Sequence, residues 1–466
     1  MPQDIPENTD VLVIGGGNAG LCAAITARES GAEVFLVEHA PKDMRGGNSR
    51  HTRNCRVAHD EASGFLTGPY TEDEYMQDLL RVTGGETNEQ LSRFLLNRSQ
   101  DLVSWMKDHG IVFQKALGGT LSLSHSNAFF MGGGKALVNA FYNTAESLGV
   151  RTTYDTEVTD LDFNDGTFTS ATLSVNGQEK KINAKAVVVA AGGFQANIDW
   201  LKEYWGPPAD NFIIRGTPFN KGRLLRVLLD AGATPVSDPT QGHAVAIDAR
   251  SPKYDGGIVT RLDCVAFSIV VDKNCERFYD EGEDFWPKRY AIWGRLVAQQ
   301  PDQIGYSIID SKSIDLFMPS VFPPLESDTI EGLAEKLEID PAALRKTVNT
   351  FNDSVKPGNF DTTILDGCAT EGIEPAKTNW ARPIDKPPYY GYPLRPGITF
   401  TYLGVTVNER AQVIWGKQGA APNVFAAGEV MAGNILGKGY LGGLGMTIGA
   451  VFGQIAGREA ASYAKR

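Results

Sequence analysis

An α/β fold is predicted by three features of the sequence: a buried strand running into glycines near the N-terminus, two later strands that also end in glycine, and an intervening stretch, 241–388, without that pattern. The first feature starts at Val11–Ile14, a continuous apolar run of the kind a fully buried parallel strand needs. Gly15, Gly17 and Gly20 follow at G-x-G-x-x-G spacing. A side chain at Gly15 would obstruct the turn, one at Gly17 would keep a pyrophosphate off the backbone, and one at Gly20 would push helix from strand. The amides around Asn18 and Ala19 then face phosphate. Leu21–Ser30 carries helix formers with Gly31 as the C-terminal cap, and a second strand, Glu33–Val37, delivers Glu38 about 20 residues after the glycines. A carboxylate there accepts from both ribose hydroxyls and repels a 2′-phosphate, so an adenine dinucleotide other than NADP is expected.

With 466 residues the chain can bury a large core in two or three domains, and 42% hydrophobic against 21% charged residues excludes a disordered chain. The net charge of −12 argues against nucleic acid or an anionic membrane as the main partner, because both require a basic face. An anionic substrate must therefore be drawn in locally. Cys22, Cys55, Cys264, Cys275 and Cys368 are scattered and form no C-x-x-C, so no disulfide framework, zinc site or iron–sulfur site is predicted. The N-terminus is short, polar and acidic, no signal peptide can be drawn, and nothing approaches about 18 consecutive apolar residues. A cytoplasmic protein without a membrane span is the expectation.

Beyond Glu38, the run Lys42–Asn54 holds three arginines, a histidine and paired glycines. Gly46, Gly47, Asn48 and Ser49 are expected to wrap the cofactor while Arg50, His51 or Arg53 faces an anion; the plainer alternative is a solvated basic loop. Thr71-Glu-Asp-Glu74 is a capping box for a helix through Leu80, and Asn88 caps a longer helix ending at Gly110. A further helix opens at Gly132 and stops at Gly149. Arg151–Lys185 alternates as an antiparallel insert, with turns at Asn164–Gly166 and Asn176–Gly177. Ala186-Val-Val-Val-Ala-Ala-Gly-Gly193 then returns a buried strand into a glycine turn at Gly192 and Gly193. From about Thr240 the pattern is absent, Asp340-Pro341 starts a helix, and the proline-rich run at Lys386 marks a boundary. The expected division is a discontinuous dinucleotide domain, 1–240 and 389–466, around an inserted domain, 241–388. Asn423–Gly428 is a third short strand ending in glycine, and the last helix uses Gly449 and Gly453 for close packing.

The N-terminal glycine unit, Ala186–Gly193 and Val424-Phe-Ala-Ala-Gly-Glu429 together resemble the flavoproteins of the fumarate reductase and succinate dehydrogenase superfamily, over nearly the whole chain. The resemblance implies FAD and a Rossmann-like, glutathione-reductase-type FAD-binding domain with an inserted α+β capping domain. Within that superfamily, Arg45–Asn54, Phe129–Asn139 and Arg277–Gly294 look like the tricarballylate dehydrogenase branch. It implies that Glu429 reaches the ribityl chain, Val158 backs the adenine, and the backbone of Gly445 and Met446 meets the flavin ring. Gln241-Gly-His243 is similar to a Gln-x-His whose histidine binds a substrate carboxylate. Arg289 is similar to the arginine that moves the proton, with Lys288 as the alternative register.

Dicarboxylate reductases of the superfamily carry a histidine before Thr-x-Gly-Gly and an arginine before Leu-Gly-Gly, where this chain has Phe400-Thr401-Tyr402 and Tyr440. Lys438, Arg261 and the Arg50–Arg53 loop are the candidates to replace the lost charges, with Thr401 beside the substrate. The Gly-Tyr-x-Gly-Gly-x-Gly pattern around Tyr440 is instead similar to flavoprotein ketosteroid dehydrogenases. Oxidising CH–CH needs hydride transfer to flavin and proton removal from the neighbouring carbon, which is acidic only if its carboxylate is polarised by fixed positive charge. Arginine is almost always protonated. Tyr402 or Tyr440, lowered by adjacent cations, is the chemically easier base. Three functions follow as expectations: oxidation of tricarballylate to cis-aconitate, enone formation of the ketosteroid type, or a flavin-bearing electron carrier. Reduced flavin would be reoxidised by oxygen or a separate acceptor, such as a membrane iron–sulfur or haem protein that brings the chain to the membrane periphery. His51-Thr52 is similar to the His-Thr of covalently flavinylated relatives but falls a few residues later.

Overall fold

The structure is a computed structural model that describes residues 5–116, 123–254, 256–257 and 260–466, without the Pro287 side chain. Residues 1–4 of the expected first domain, and 255, 258 and 259 of the polar Asp248–Arg261 stretch, lie outside the described residues.

Strands β1 (Asn8–Ile14) and β2 (Val34–Val37) are parallel neighbours joined through helix α1 (Asn18–Glu29), which gives the strand–glycine–helix–strand unit. Gly15 makes the turn at φ +100°, a backbone that glycine adopts without steric cost. β3 (Arg151–Thr153) extends the sheet beyond β2. β4 (Thr156–Asn164), β5 (Thr167–Val175) and β6 (Gln178–Val189) form the antiparallel insert. Asp165, Gly166, Asn176 and Gly177 all have positive φ, as the two-residue hairpin turns require. The polar first half of β6 stays in the insert, and its apolar end, Ala186–Val189, lies parallel to β1.

β7 (Gly242–Asp248), β8 (Ile269–Val271), β9 (Gly305–Asp310) and β10 (Tyr389–Thr401) build a second sheet in the order β7–β10–β9–β8. Its outer end shares a core with the helices Ile330–Leu337 and Pro341–Ser354. β10, which begins just past residue 388, bonds to both β7 and β9, and Ile213–Ile214 joins it in parallel. β11 (Gln412–Trp415) and β12 (Gly419–Ala426) return to the first sheet, whose order is β11–β12–β6–β1–β2–β3. Val189 stands opposite both Ile14 and Ala426. The three strand–glycine units therefore end side by side at the carboxyl edge of one parallel sheet, where open α/β folds bind ligands.

Helix α2 (Leu444–Ala464) lies along α1, and its glycines make that possible: a Cβ on Gly453 would run into the Ala19 carbonyl, and one on Gly457 into that of Ala23. The caps at Thr71 and Asn88 form, their side chains accepting the Glu74 and Leu91 amides at 3.2 and 3.0 Å. The helix expected from Asn88 to Gly110 is broken, with Glu89–Arg98 and Leu102–Asp108 separated by a tight turn at Ser99–Asp101. There the Ser99 hydroxyl donates to Leu96 C=O and accepts the Ala58 amide, local bonding that competes with the helical ladder. Among the described residues no helix is long and apolar enough to cross a membrane.

Gly453→Ala should lower the free energy of unfolding by about 1–3 kcal/mol through overpacking against α1. Urea midpoints at constant m-value measure it, and a variant as stable as its parent would mean that the two helices separate freely.

Candidate active site

The three strand ends open on one cleft, whose empty space with the open mouth included is about 1790 Å³. Gly15, Gly17, Asn18, Ala19, Glu38, Val158 and Gly192 line one end. Gly20 lies beneath them, where a Cβ would strike the Gly15 carbonyl. The Glu38 carboxylate is buried and accepts the amides of Gly16, Ala40 and Gly46 at 3.1, 2.9 and 3.3 Å. Burial raises its pKa, and those amides offset part of the rise. Gly47, Asn48 and Ser49 continue the lining. The Asn18 amide donates to Ser49 Oγ, and its side-chain Nδ2 donates to Met446 C=O, both at 2.9 Å, which ties the first glycine turn to the start of α2.

Glu429 follows β12 and lines the middle of the cleft, its carboxylate accepting the Thr401 amide at 2.9 Å and Gln195 Nε2 at 3.3 Å. Gly193 leaves room for it: a Cβ there would collide with Glu429 Oε1 and Thr401 Oγ1. Burial pushes the Glu429 carboxyl up to about 7. Gly445 and Met446 line the far end at the amino terminus of α2, where the positive end of the helix dipole favours negative charge. Tyr440 Oη accepts the Gly445 amide at 3.0 Å. Backbone amides for a pyrophosphate, one acid for a ribose, a second midway and a helix amino terminus for a ring fit FAD along its length.

Beyond Tyr440 the cleft becomes cationic. Arg53, Arg215 and Arg261 line it together with His51, His243 and Tyr290. Arg261 is held by Asp263 through two bonds, Nε to Oδ1 at 2.5 Å and Nη2 to Oδ2 at 2.8 Å, and Asp263 Oδ1 also accepts the Trp286 indole N–H at 2.7 Å. Arg215 donates to Gly257 C=O at 3.2 Å and to Thr399 Oγ1 at 3.1 Å. Burial and then the Arg261 charge pull Arg53 and Arg215 each down to about 10. Burial would also lower Arg261, but Asp263 outweighs it and holds that guanidinium above its ordinary value. His243 stacks on Tyr440, ring centroids 4.1 Å apart and planes within 6°, and Tyr290 meets it edge-on at 5.3 Å. Its Nε2 is buried without a hydrogen-bond partner among the described residues. Burial, Arg215 and Arg261 depress its pKa well below the usual range, so His243 is a neutral imidazole.

A family model described as "FAD binding domain" matches residues 10–445. The chain belongs to this family. It is 26% identical to the NADH:fumarate oxidoreductase of Klebsiella pneumoniae (strain 342) over 99% of its own length and 48% of that protein, so it spans about half of that relative. The open conformation of a flavocytochrome c3 fumarate reductase superposes with a TM-score of 0.77 at 24% identity, covering 99% of this chain and 79% of the other. The 3-ketosteroid-Δ4-(5α)-dehydrogenase of Rhodococcus jostii RHA1 superposes at 0.74 with 20% identity, covering 99% and 98%. Both superpositions establish the mixed α/β fold. As a member of that family the chain is a flavoprotein whose cofactor is FAD.

Several residues singled out in the sequence stand elsewhere in this flavoprotein. Arg289 does not line the cleft, because its guanidinium pairs with Glu283. Lys288 pairs with Asp78 at 2.6 Å, and Lys438 with Glu86 at 2.9 Å near the surface. Thr401 supports Glu429 rather than facing the cleft. Gly46 spends its amide on Glu38, and Asn48 lines the cleft while its side chain bonds to Thr399 C=O and the Thr217 amide. Tyr402 is wholly buried and donates to Gly439 C=O. Burial raises the pKa of both Tyr402 and Tyr440, and for Tyr440 it outweighs the opposing pull of Arg56 and Arg215, so neither phenol is lowered as expected. Arg215 and Tyr290 were missed. Arg215 belongs to no motif and arrives through backbone pairing with Ile398, and Tyr290 is one position past the arginine that the motif register favoured.

The Glu429 pKa yields a sign for stability. The folded, flavin-free protein holds the Glu429 proton more tightly than the unfolded chain, whose carboxyl titrates near 4.3. That contribution is complete below about 4.3 and is lost as pH rises through about 7. Relative to Glu429→Gln, the parent apoprotein should therefore lose stability between about pH 5 and 8 in urea titrations. A difference that stays constant across that interval would contradict the assignment.

Proposed function

We propose that this flavoprotein is a dehydrogenase that oxidises a CH–CH bond of a small polycarboxylate, with conversion of tricarballylate to cis-aconitate as its reaction. The observation that carries the reading is the group of three guanidiniums, Arg53, Arg215 and Arg261, beside one carboxylate, Asp263, at the end of the cofactor cleft. Bound FAD supplies a hydride acceptor. The residues of the chain do the remaining work. The arginines bind the carboxylates and withdraw charge from them, which acidifies the neighbouring C–H. Neutral His243, with an unpaired buried Nε2, can bond to one further carboxylate oxygen. Trp286, Tyr290 and Phe400 narrow the site and displace water from it.

Tyr440, with its hydroxyl on the Gly445 amide, favours a second reading in which a ketone oxygen of an enone is polarised. A neutral ligand would leave buried Arg215 and half-buried Arg53 with only the shared charge of Asp263, and the acid reading stands first for that reason. The fumarate named for the Klebsiella relative supports an unsaturated acid as the other half of the couple. The domain over 241–388, together with β10, forms the cap. A separate electron acceptor, such as a membrane iron–sulfur or haem protein, and a cytoplasmic location complete the proposal.

Anaerobic mixing tests it: tricarballylate should bleach the flavin absorbance. Bleaching by a 3-ketosteroid alone would favour the second reading, and bleaching by neither would leave an electron carrier. Arg215→Met should keep FAD and raise the KM for tricarballylate by about 30-fold or more, the consequence of removing one partner from a buried charge pair.

A further inference from the structure

Arg289 turns away from the cleft and Tyr290 enters it, so the proton that must leave the substrate has no arginine at the expected position. The Tyr290 ring lies under the Arg261 guanidinium, which is 4.6 Å from the ring centroid, and stands perpendicular to the His243 ring. Its hydroxyl stands in the field of Arg261, Arg215, Arg53 and Arg56. The other titratable groups of this end are held in other contacts or kept neutral. Asp263 holds Arg261 and the Trp286 indole, Tyr440 accepts the Gly445 amide, Tyr402 bonds to Gly439, and His243 is neutral and stacked.

We propose that Tyr290 is the proton-carrying residue of the site, an assignment that rests on the polycarboxylate reading above. With bound FAD taking the hydride from one carbon, the C–H bond of the adjacent carbon breaks and its electron pair becomes the new C=C bond. The proton passes to the phenolate oxygen of Tyr290 and from there to water at the cleft mouth. In the reverse direction the phenol gives its proton to the alkene carbon. The four arginines favour the phenolate, and burial outweighs them, so the group is a phenol at neutral pH. Reduction of the alkene is then supplied with its proton at neutral pH, and oxidation accelerates about tenfold per pH unit until the phenol is ionised.

Tyr290→Phe keeps the ring under Arg261 and removes only the hydroxyl. FAD binding and the affinity of the reduced flavoprotein for tricarballylate should match the parent, whereas flavin reduction slows about 10²–10⁴-fold and loses its rise with pH. A ring that serves only as a platform for Arg261 predicts an unchanged rate, and that result overturns the proposal. Replacement of Tyr290 by 3-fluorotyrosine, which preserves shape and acidifies the phenol, should move the rise to lower pH, and an unmoved profile also overturns it. If the parent turns over neither tricarballylate nor cis-aconitate, the substrate reading fails first and takes this assignment with it.

Discussion

Positive charge held in a low-dielectric cleft with too few counter-ions is the constraint around which this molecule is arranged. Arg53, Arg215 and Arg261 converge there, and among the described residues Asp263 is the carboxylate that acts on all three. Desolvating such ions costs several kcal/mol each unless a partner compensates. Arg261 is compensated through its two bonds to Asp263, while Arg53 and Arg215 are left depressed by burial. On the polycarboxylate reading proposed above, an arriving carboxylate would relieve that strain, and the cost of building the cluster would return as affinity for an anion. A chain with a net charge of −12 thereby has a local field of the opposite sign at this end of the cleft.

The three arginines come from separate parts of the chain, and the two sheets bring them together. Arg53 lies in the loop that follows Glu38 and the glycine-rich wrap. Arg215 extends Ile213–Ile214, which pairs with β10, and Arg261 bridges to Ile247 of β7. The second sheet thus carries two of the charges to the place where the first sheet presents its glycine turns. The same juncture holds the cofactor lining, since Thr401 at the end of β10 bonds Glu429 at the end of β12. Close packing of α2 on α1 sets the position of Gly445 and Met446, and Asn18 binds that helix start to the first turn. Cofactor groove and cationic pocket are consequently held together by the same contacts.

The cofactor half was legible in the sequence because its chemistry depends on backbone. Gly15 needs positive φ, Gly20 and Gly453 need close approach, and Asp165–Gly166 and Asn176–Gly177 need paired positive φ; only particular residues satisfy each demand. The break at Ser99 was not legible, because a serine inside an amphipathic pattern shows no sign of the tertiary amide from Ala58 that it captures. The cationic half was read in part. Arg53, Arg261 and His243 were named from the sequence and line the cleft, but Arg215 reaches it through sheet pairing that has no local signature. Arg289 and Tyr290 differ by one position in a short helical segment, which turns one side chain to Glu283 and the other to the cleft. Lys438 and Tyr402 show the same limit: residue type suggested chemistry, and direction and burial decided otherwise.

A crystal structure of the FAD-loaded protein with tricarballylate tests the central claim most directly. The account predicts carboxylate oxygens within about 3 Å of the Arg53, Arg215 and Arg261 guanidiniums, between the flavin ring and Tyr290. An acid bound elsewhere, or the arginine end of the cleft occupied by the cofactor itself, would contradict it.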